Sequence, residues 1–271
     1  MDKLAMVITQ GRLGERVDGL ADGARITGEG IAKHFDFRTR YVGEPEPARI
    51  ESFTQSFDTA KSTLDRLHQV VTEELSTHSG LWLCNNTCSA SIASLSAMGY
   101  LYDDLKVLYI DAHPDFNRPQ ESETGYLGGT ALAAACRLWD SGFPGGIDPS
   151  NVLFYGIRDI DAAENKNISD YGCTVLDSND PSTLQVVSQI PFPLVVHIDW
   201  DSTNPDVIPA DYAVPGGLQV DQIIRLTDSI RPQTILATEF SEYKPDTGRR
   251  SNDEVQADIL RIARSIERKF R

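Results

Sequence analysis

What most constrains this chain is a series of short apolar runs spread over its length: LAMVIT (4–9), RYV (40–42), LWLC (81–84), KVLYI (106–110), NVLFYGI (151–157), CTVL (173–176), LVVHI (194–198) and TILATEF (234–240). Several are apolar at successive positions rather than at alternate ones. Strands of a parallel sheet read this way, because both of their faces are covered. Stretches with helical spacing separate most of the runs. The clearest is 252–270, where Val255, Ile259, Ile262, Ile266 and Phe270 recur at intervals of three and four behind a Ser251/Glu254 capping box. Strand and helix alternate with no long Pro/Gly/Ser linker. This predicts one α/β domain over 1–271, in three layers: a parallel sheet of about eight strands flanked by helices.

Composition narrows the function. The chain has 271 residues and a formal net charge of −15. That balance argues against a nucleic-acid partner, which needs basic patches. No apolar run approaches the roughly 18 residues of a membrane span, and the N-terminal stretch MDKLAMVITQG lacks a signal-peptide core. A cytoplasmic protein with no membrane partner is expected. Cys84, Cys88, Cys136 and Cys173 form neither a CxxC pair nor a disulfide framework, consistent with a reducing compartment and mostly buried thiols.

In doubly wound folds ligands bind beyond the carboxyl ends of the strands. Directly after KVLYI comes DAHPDFN, with Asp111, His113, Asp115 and Asn117; directly after LVVHI comes DWD, with Asp199 and Asp201. In an extended segment, residues two apart point the same way. D-x-H-x-D is therefore predicted to aim three ligand-type groups at one side, and D-x-D two more. Convergent carboxylates repel unless cations neutralise them. Oxygen donors with one imidazole suit a hard divalent ion such as manganese, and carboxylates shared by two ions give a site that activates water. Taken alone, each motif could equally be helix caps and a core histidine. The two motifs together, both at strand ends, favour metal.

DAHPD and DWD resemble the two metal-binding motifs of the ureohydrolase (arginase–agmatinase) family, which hydrolyses guanidino compounds. The resemblance runs from Cys88 to Glu242. It implies two Mn2+ ions held by Asp111, His113, Asp115, Asp199 and Asp201, with Asp115 also handling the proton of the attacking hydroxide and of the leaving amine. Glu242 in EFSEYKP matches the family glutamate that pairs with the guanidino group. IRDIDAAE resembles the segment that recognises an α-amino group, through Asp161 and Glu164, although first-turn carboxylates of a helix would read the same way. Asn117 and Thr124 match positions that hold an α-carboxylate. A small guanidino amino acid is the implied partner.

Three departures from the family pattern stand out. Cys88, in NNTCS, takes the slot of a histidine ligand, which implies a thiolate ligand instead. Gly128, in TGYLGGT, stands where a proton-shuttling histidine is expected, and is read as leaving room for a larger substrate group. The side chain after DWD that helps bind guanidino nitrogen is missing near Tyr212 and Ala213. NNTCS, the TGYLGG stretch and HIDWD resemble the branch of the family that splits Nω-hydroxy-L-arginine into L-ornithine and hydroxyurea in antibiotic biosynthesis. An N-hydroxyguanidine is far less basic than the always-protonated guanidinium of arginine. It is the easier electrophile, and its attack relies less on a proton shuttle.

Other readings are plain arginase activity, a metal-poor pseudoenzyme of the same fold, and a cysteine nucleophile at Cys88. The last needs a general base beside the thiol. His113 is taken by the metal motif, and His34, His68 and His78 fall on helical stretches. The family is often trimeric or hexameric, so a homo-oligomer is compatible with the resemblance.

Overall fold

The computed structural model describes residues 4–245 and 250–270; the first residues of the N-terminal stretch lie outside them. Strand and α-helix alternate throughout. The first half comprises β1 (Leu4–Thr9), α1 (Leu20–Phe35), β2 (Arg38–Val42), α2 (Phe53–Thr77), β3 (Gly80–Cys84), α3 (Ser91–Leu101), β4 (Lys106–Ile110) and α4 (Ala131–Ala135). The second comprises β5 (Val152–Tyr155), α5 (Ala162–Asp170), β6 (Thr174–Leu176), α6 (Ser182–Val187), β7 (Leu194–Asp199), α7 (Val220–Ser229), β8 (Ile235–Ser241) and α8 (Asn252–Glu267).

All the predicted strands are present, with ends shifted by a residue or two. The largest change is in NVLFYGI, which shortens to β5 because Gly156 turns away at φ 94. Helix α8 starts at the predicted capping box, the Ser251 hydroxyl accepting from the Glu254 amide at 3.3 Å.

The strands form one parallel sheet in the order β2-β1-β3-β8-β7-β4-β5-β6. Its two faces are covered separately. Leu81 and Leu83 of β3 join the core under α2, α3 and α4, while Trp82 and Cys84 join the one under α1, α7 and α8. Burying each such Leu contributes roughly 1.5–3 kcal/mol, which offsets the cost of a polar cluster at the sheet's carboxyl edge. Among the described residues, no helix is long and apolar enough to cross a membrane.

The order of the strands positions the site. The last strand, β8, inserts between β3 and β7, and β7 lies beside β4. The segments after β3, β8, β7 and β4 therefore emerge side by side.

Candidate metal centre

Along that edge the chain presents Cys88, Glu242, Asp199 with Asp201, and the segment from Asp111 to Asp115. All but the imidazole of His113, which is half-buried, are buried. Their donor atoms form overlapping groups close enough to share an ion: Asp111, His113 and Asp201; Cys88, Asp199 and Glu242; and Cys88, Asp111 and His197.

Strand alternation is not what brings them together. Beyond Ile110 the backbone bends, and Asp115 takes a left-handed conformation at φ 52. Asp201 sits in a 3-10 turn over Trp200–Ser202, its amide donating to Asp199 Oδ1 at 2.7 Å. Turns stabilised by the carboxylates themselves replace the expected extended segments. Glu242 is likewise left-handed, at φ 65. A non-glycine residue there costs about 1–2 kcal/mol, and such strain collects at functional sites.

The electrostatics are those of carboxylates awaiting a counter-charge. Burial, then the charge of Asp201, raises Asp111 and Asp199 well above the usual carboxylate range. Burial also pushes Asp115 up to about 7, against the lowering effect of the Tyr109 hydroxyl, which donates to its Oδ2 at 2.6 Å. The Cys88 thiol is raised by burial and next by Asp199, whose Oδ2 lies 2.9 Å from Sγ. For His113, burial favours the neutral ring, but hydrogen bonds and charge from Asp111 and Asp201 outweigh it and push the imidazole up to about 12. Its Nδ1 lies 2.8 Å from Asp201 Oδ2. A proton on His113 thus neutralises the carboxylates around it. Asp111 Oδ2 and Glu242 Oε2 remain buried with no hydrogen-bond partner, a state proteins seldom tolerate. Orphaned carboxylate oxygens beside an imidazole and a thiol fit a divalent cation.

A cavity of about 180 Å³ opens over this cluster. Asp161, which also lines it, caps α5 in a capping box with Glu164. Glu164 Oε2 accepts from the Asp161 amide and Oε1 from the Phe116 amide, both at 3.0 Å. RDIDAAE therefore does start a helix, yet both carboxylates also line the cavity. Asn117 Nδ2 donates to Asp161 Oδ2 at 2.8 Å, and its Oδ1 is buried without a partner. Thr124 lines the same wall.

Gly128 behaves differently from expectation. Gly129 lines the cavity in its place, and a Cβ at 128 would lie 2.7 Å from the ring of Tyr126. The room beside the glycine is filled by that ring rather than left open. The Tyr126 hydroxyl donates to Glu242 Oε1 at 3.2 Å, and its ring packs on Tyr212 with centroids 5.0 Å apart. Tyr212, near which the family resemblance implied the loss of a guanidino-binding side chain, lines the cavity.

Sequence reasoning passed over Tyr126, and also His197 and Glu239. The last two are register partners on β7 and β8, with ring Nδ1 and carboxylate Oε2 3.0 Å apart. A lone histidine and a lone glutamate inside otherwise apolar strands were the available signal.

The family model for arginase matches residues 33–264. The chain belongs to the arginase family and is a hydrolase. Among curated proteins, this arginase-family chain is similar to an N(omega)-hydroxy-L-arginine amidinohydrolase of Streptomyces lavendulae, 34% identical over 256 residues that cover 94% of each chain. It is 24% identical to arginase-1 of Rattus norvegicus over 264 residues, covering 89% of this chain and 81% of that one. The structure of Entamoeba histolytica arginase in complex with L-ornithine superimposes with a TM-score of 0.87, over 98% of both chains at 18% identity. At that identity the likeness shows the arginase fold, which these strands and helices share.

Proposed function

We propose that this arginase-family chain works as one domain in the cytoplasm and is a dimanganese amidinohydrolase, cleaving Nω-hydroxy-L-arginine to L-ornithine and hydroxyurea. The observation that carries the reading is the Cys88 sulfur inside the donor cluster, 2.9 Å from Asp199 Oδ2, in a chain 34% identical to an enzyme named for that substrate. Cys88, Asp111, His113, Asp115, Asp199 and Asp201 would hold the ions. Manganese bound there supplies Lewis acidity and makes water reactive near neutral pH.

The chain's own groups do the rest. Glu242 pairs with the amidino nitrogens, oriented by the Cys88 amide and the Tyr126 hydroxyl. Asp115, steered by Tyr109, takes the proton of the attacking water at its carboxylate and passes it to the departing nitrogen. The water oxygen adds to the amidino carbon; collapse of this adduct breaks the bond from the carbon to the departing nitrogen, and the second water proton passes to the hydroxylated nitrogen, giving ornithine and hydroxyurea. Asp161 and Glu164 meet the α-amino group, while Asn117 and Thr124 meet the α-carboxylate. Tyr126 takes up the space beside Gly128 and narrows the cavity around the amidino end.

The test is a side-by-side assay of Nω-hydroxy-L-arginine and L-arginine with manganese present. Preferential turnover of the hydroxylated compound is expected; better turnover of arginine overturns the substrate assignment. One observation favours a second reading, a cysteine nucleophile: His197 Nε2 lies 3.4 Å from Cys88 Sγ. Burial, and next the surrounding carboxylates, raise the thiol, the opposite of what activates a nucleophile. Full activity after chelation would establish that reading in place of the metal one.

A further inference from the structure

Behind Cys88, on the side away from the cavity, lies a chain of fully buried polar groups that the reaction as described does not use. His197 stands on β7 with its Nε2 3.4 Å from Cys88 Sγ and its Nδ1 3.0 Å from Glu239 Oε2 on β8. The Ser91 hydroxyl donates to the same Glu239 oxygen at 2.8 Å, and the Ser94 hydroxyl to the other. Tyr109 stacks on the imidazole, with centroids 4.1 Å apart and planes within 4°. His197, Glu239, Ser91 and Ser94 are all 0% exposed. The ring is thus fixed in position and orientation from three directions. Cys88 lines the cavity and His197 does not, so the imidazole faces the rear of the sulfur.

We propose that His197, anchored by Glu239, is a positioning residue that donates an Nε2–H hydrogen bond to the Cys88 sulfur and so limits how much electron density that sulfur gives a bound metal. The inference rests on the metal reading above. A thiolate carries one more negative charge than a neutral imidazole ligand and weakens the Lewis acidity of the ion it holds. A hydrogen bond to the sulfur draws its lone pairs down in energy and restores part of that acidity. Partners behind metal ligands commonly act this way, by orienting the ligand and tuning its basicity. Glu239 accepts from the ring Nδ1–H and from both serine hydroxyls, which leaves Nε2 to face sulfur, where it holds the proton that Cys88 gives up on becoming a thiolate.

The experiment uses the full chain loaded with Co2+, whose thiolate-to-cobalt charge-transfer absorption reports the energy of the sulfur lone pairs. In the parent this band is expected, and Cys88→Ser removes it. His197→Asn keeps an amide near the Nδ1 position facing Glu239 but puts no donor at the sulfur. The band is expected to move to longer wavelength, because the sulfur lone pairs rise in energy when the donor is lost. His197→Gln, whose amide reaches toward the sulfur, is expected to restore much of the band position. Glu239→Gln removes the anchoring charge and keeps the ring, and a smaller shift in the same direction is expected; it carries the test should the His197 variants fail to fold. A parent with no Cys88-dependent band overturns the metal reading and this inference together. A parent with the band, and variants in which it does not move, overturns this inference alone.

Discussion

Glu242 is 2% exposed; its Oε1 accepts from the Cys88 amide at 3.1 Å and from the Tyr126 hydroxyl at 3.2 Å, while its Oε2 has no partner. A buried carboxylate held on one oxygen and open on the other suits a cationic or strongly hydrogen-bonding group arriving from the cavity. Glu242→Gln keeps the shape and loses the charge. A hydrogen bond to a charged group is worth about 1.5–3 kcal/mol, so kcat/KM is expected to fall roughly 10- to 150-fold. Tyr126→Phe, which removes only the neutral donor, should lose roughly 10-fold or less. Kinetics on Nω-hydroxy-L-arginine with manganese content measured alongside decide this: a larger loss for Tyr126→Phe than for Glu242→Gln would remove Glu242 from its assigned role. The residue types at this site were legible from the sequence because strand ends loaded with carboxylates have few other uses. What stayed hidden was which groups share a space. Gly128 has meaning only beside the Tyr126 ring, and Cys88 only beside His197, and no spacing along the chain encodes either contact.

At the level of elements, one side chain ties together three segments that the sheet alone leaves separate. Arg158, just past β5, donates to the carbonyls of Asp201 at 2.8 Å and Val214 at 2.7 Å through Nη2. Its other nitrogens reach Pro215 O at 3.2 Å and Gly156 O at 3.2 Å. The guanidinium fork thereby pins the turn that carries Asp201, together with the stretch after Tyr212, against the end of β5. A lysine presents a point charge and cannot span these carbonyls. Arg158→Lys is expected to destabilise the fold by about 1–3 kcal/mol and to weaken manganese binding, read by thermal melts and metal titration. Unchanged metal affinity would mean the turn holds Asp201 without the fork. Apolar runs identified every strand, most densely in the inner ones, which are buried on both faces, while the edge strands β2 and β6 are largely exposed or half-buried; the Ser251/Glu254 box located the start of α8. Periodicity could not say which strands are neighbours. That β8 inserts between β3 and β7, bringing Glu242 between Cys88 and Asp199, depends on helix packing across the whole sheet. The left-handed turn at Asp115 was equally invisible, since aspartate carries no strong signal for it.

For the molecule as a whole, the cluster couples metal, protons and stability. Burial first, and neighbouring carboxylates next, raise Asp111, Asp199 and Glu242 well above the ordinary range, and burial pushes Asp115 up to about 7. Unfolded carboxyls titrate near ~4, so above that pH the folded, metal-free chain binds more protons than the unfolded one. Stability then falls as pH rises. His113 has the same sign: its imidazole is pushed up to about 12, so its contribution is complete below the unfolded value of about 6.5 and drains away as pH climbs toward the folded one. The net charge of −15 adds little slope here, because exposed carboxylates are already ionised at pH 6. Cations bound in the cluster would displace these protons, and ligands that must be deprotonated bind metal more tightly as pH rises. The metal-free protein is therefore expected to lose melting temperature between pH 6 and pH 8, and manganese to raise the melting temperature more at pH 8 than at pH 6. Melts at both pH values, with and without manganese, measure both. A metal-free chain that gains stability over that interval, or a manganese increment that shrinks with pH, would mean that the carboxylate cluster does not hold the metal.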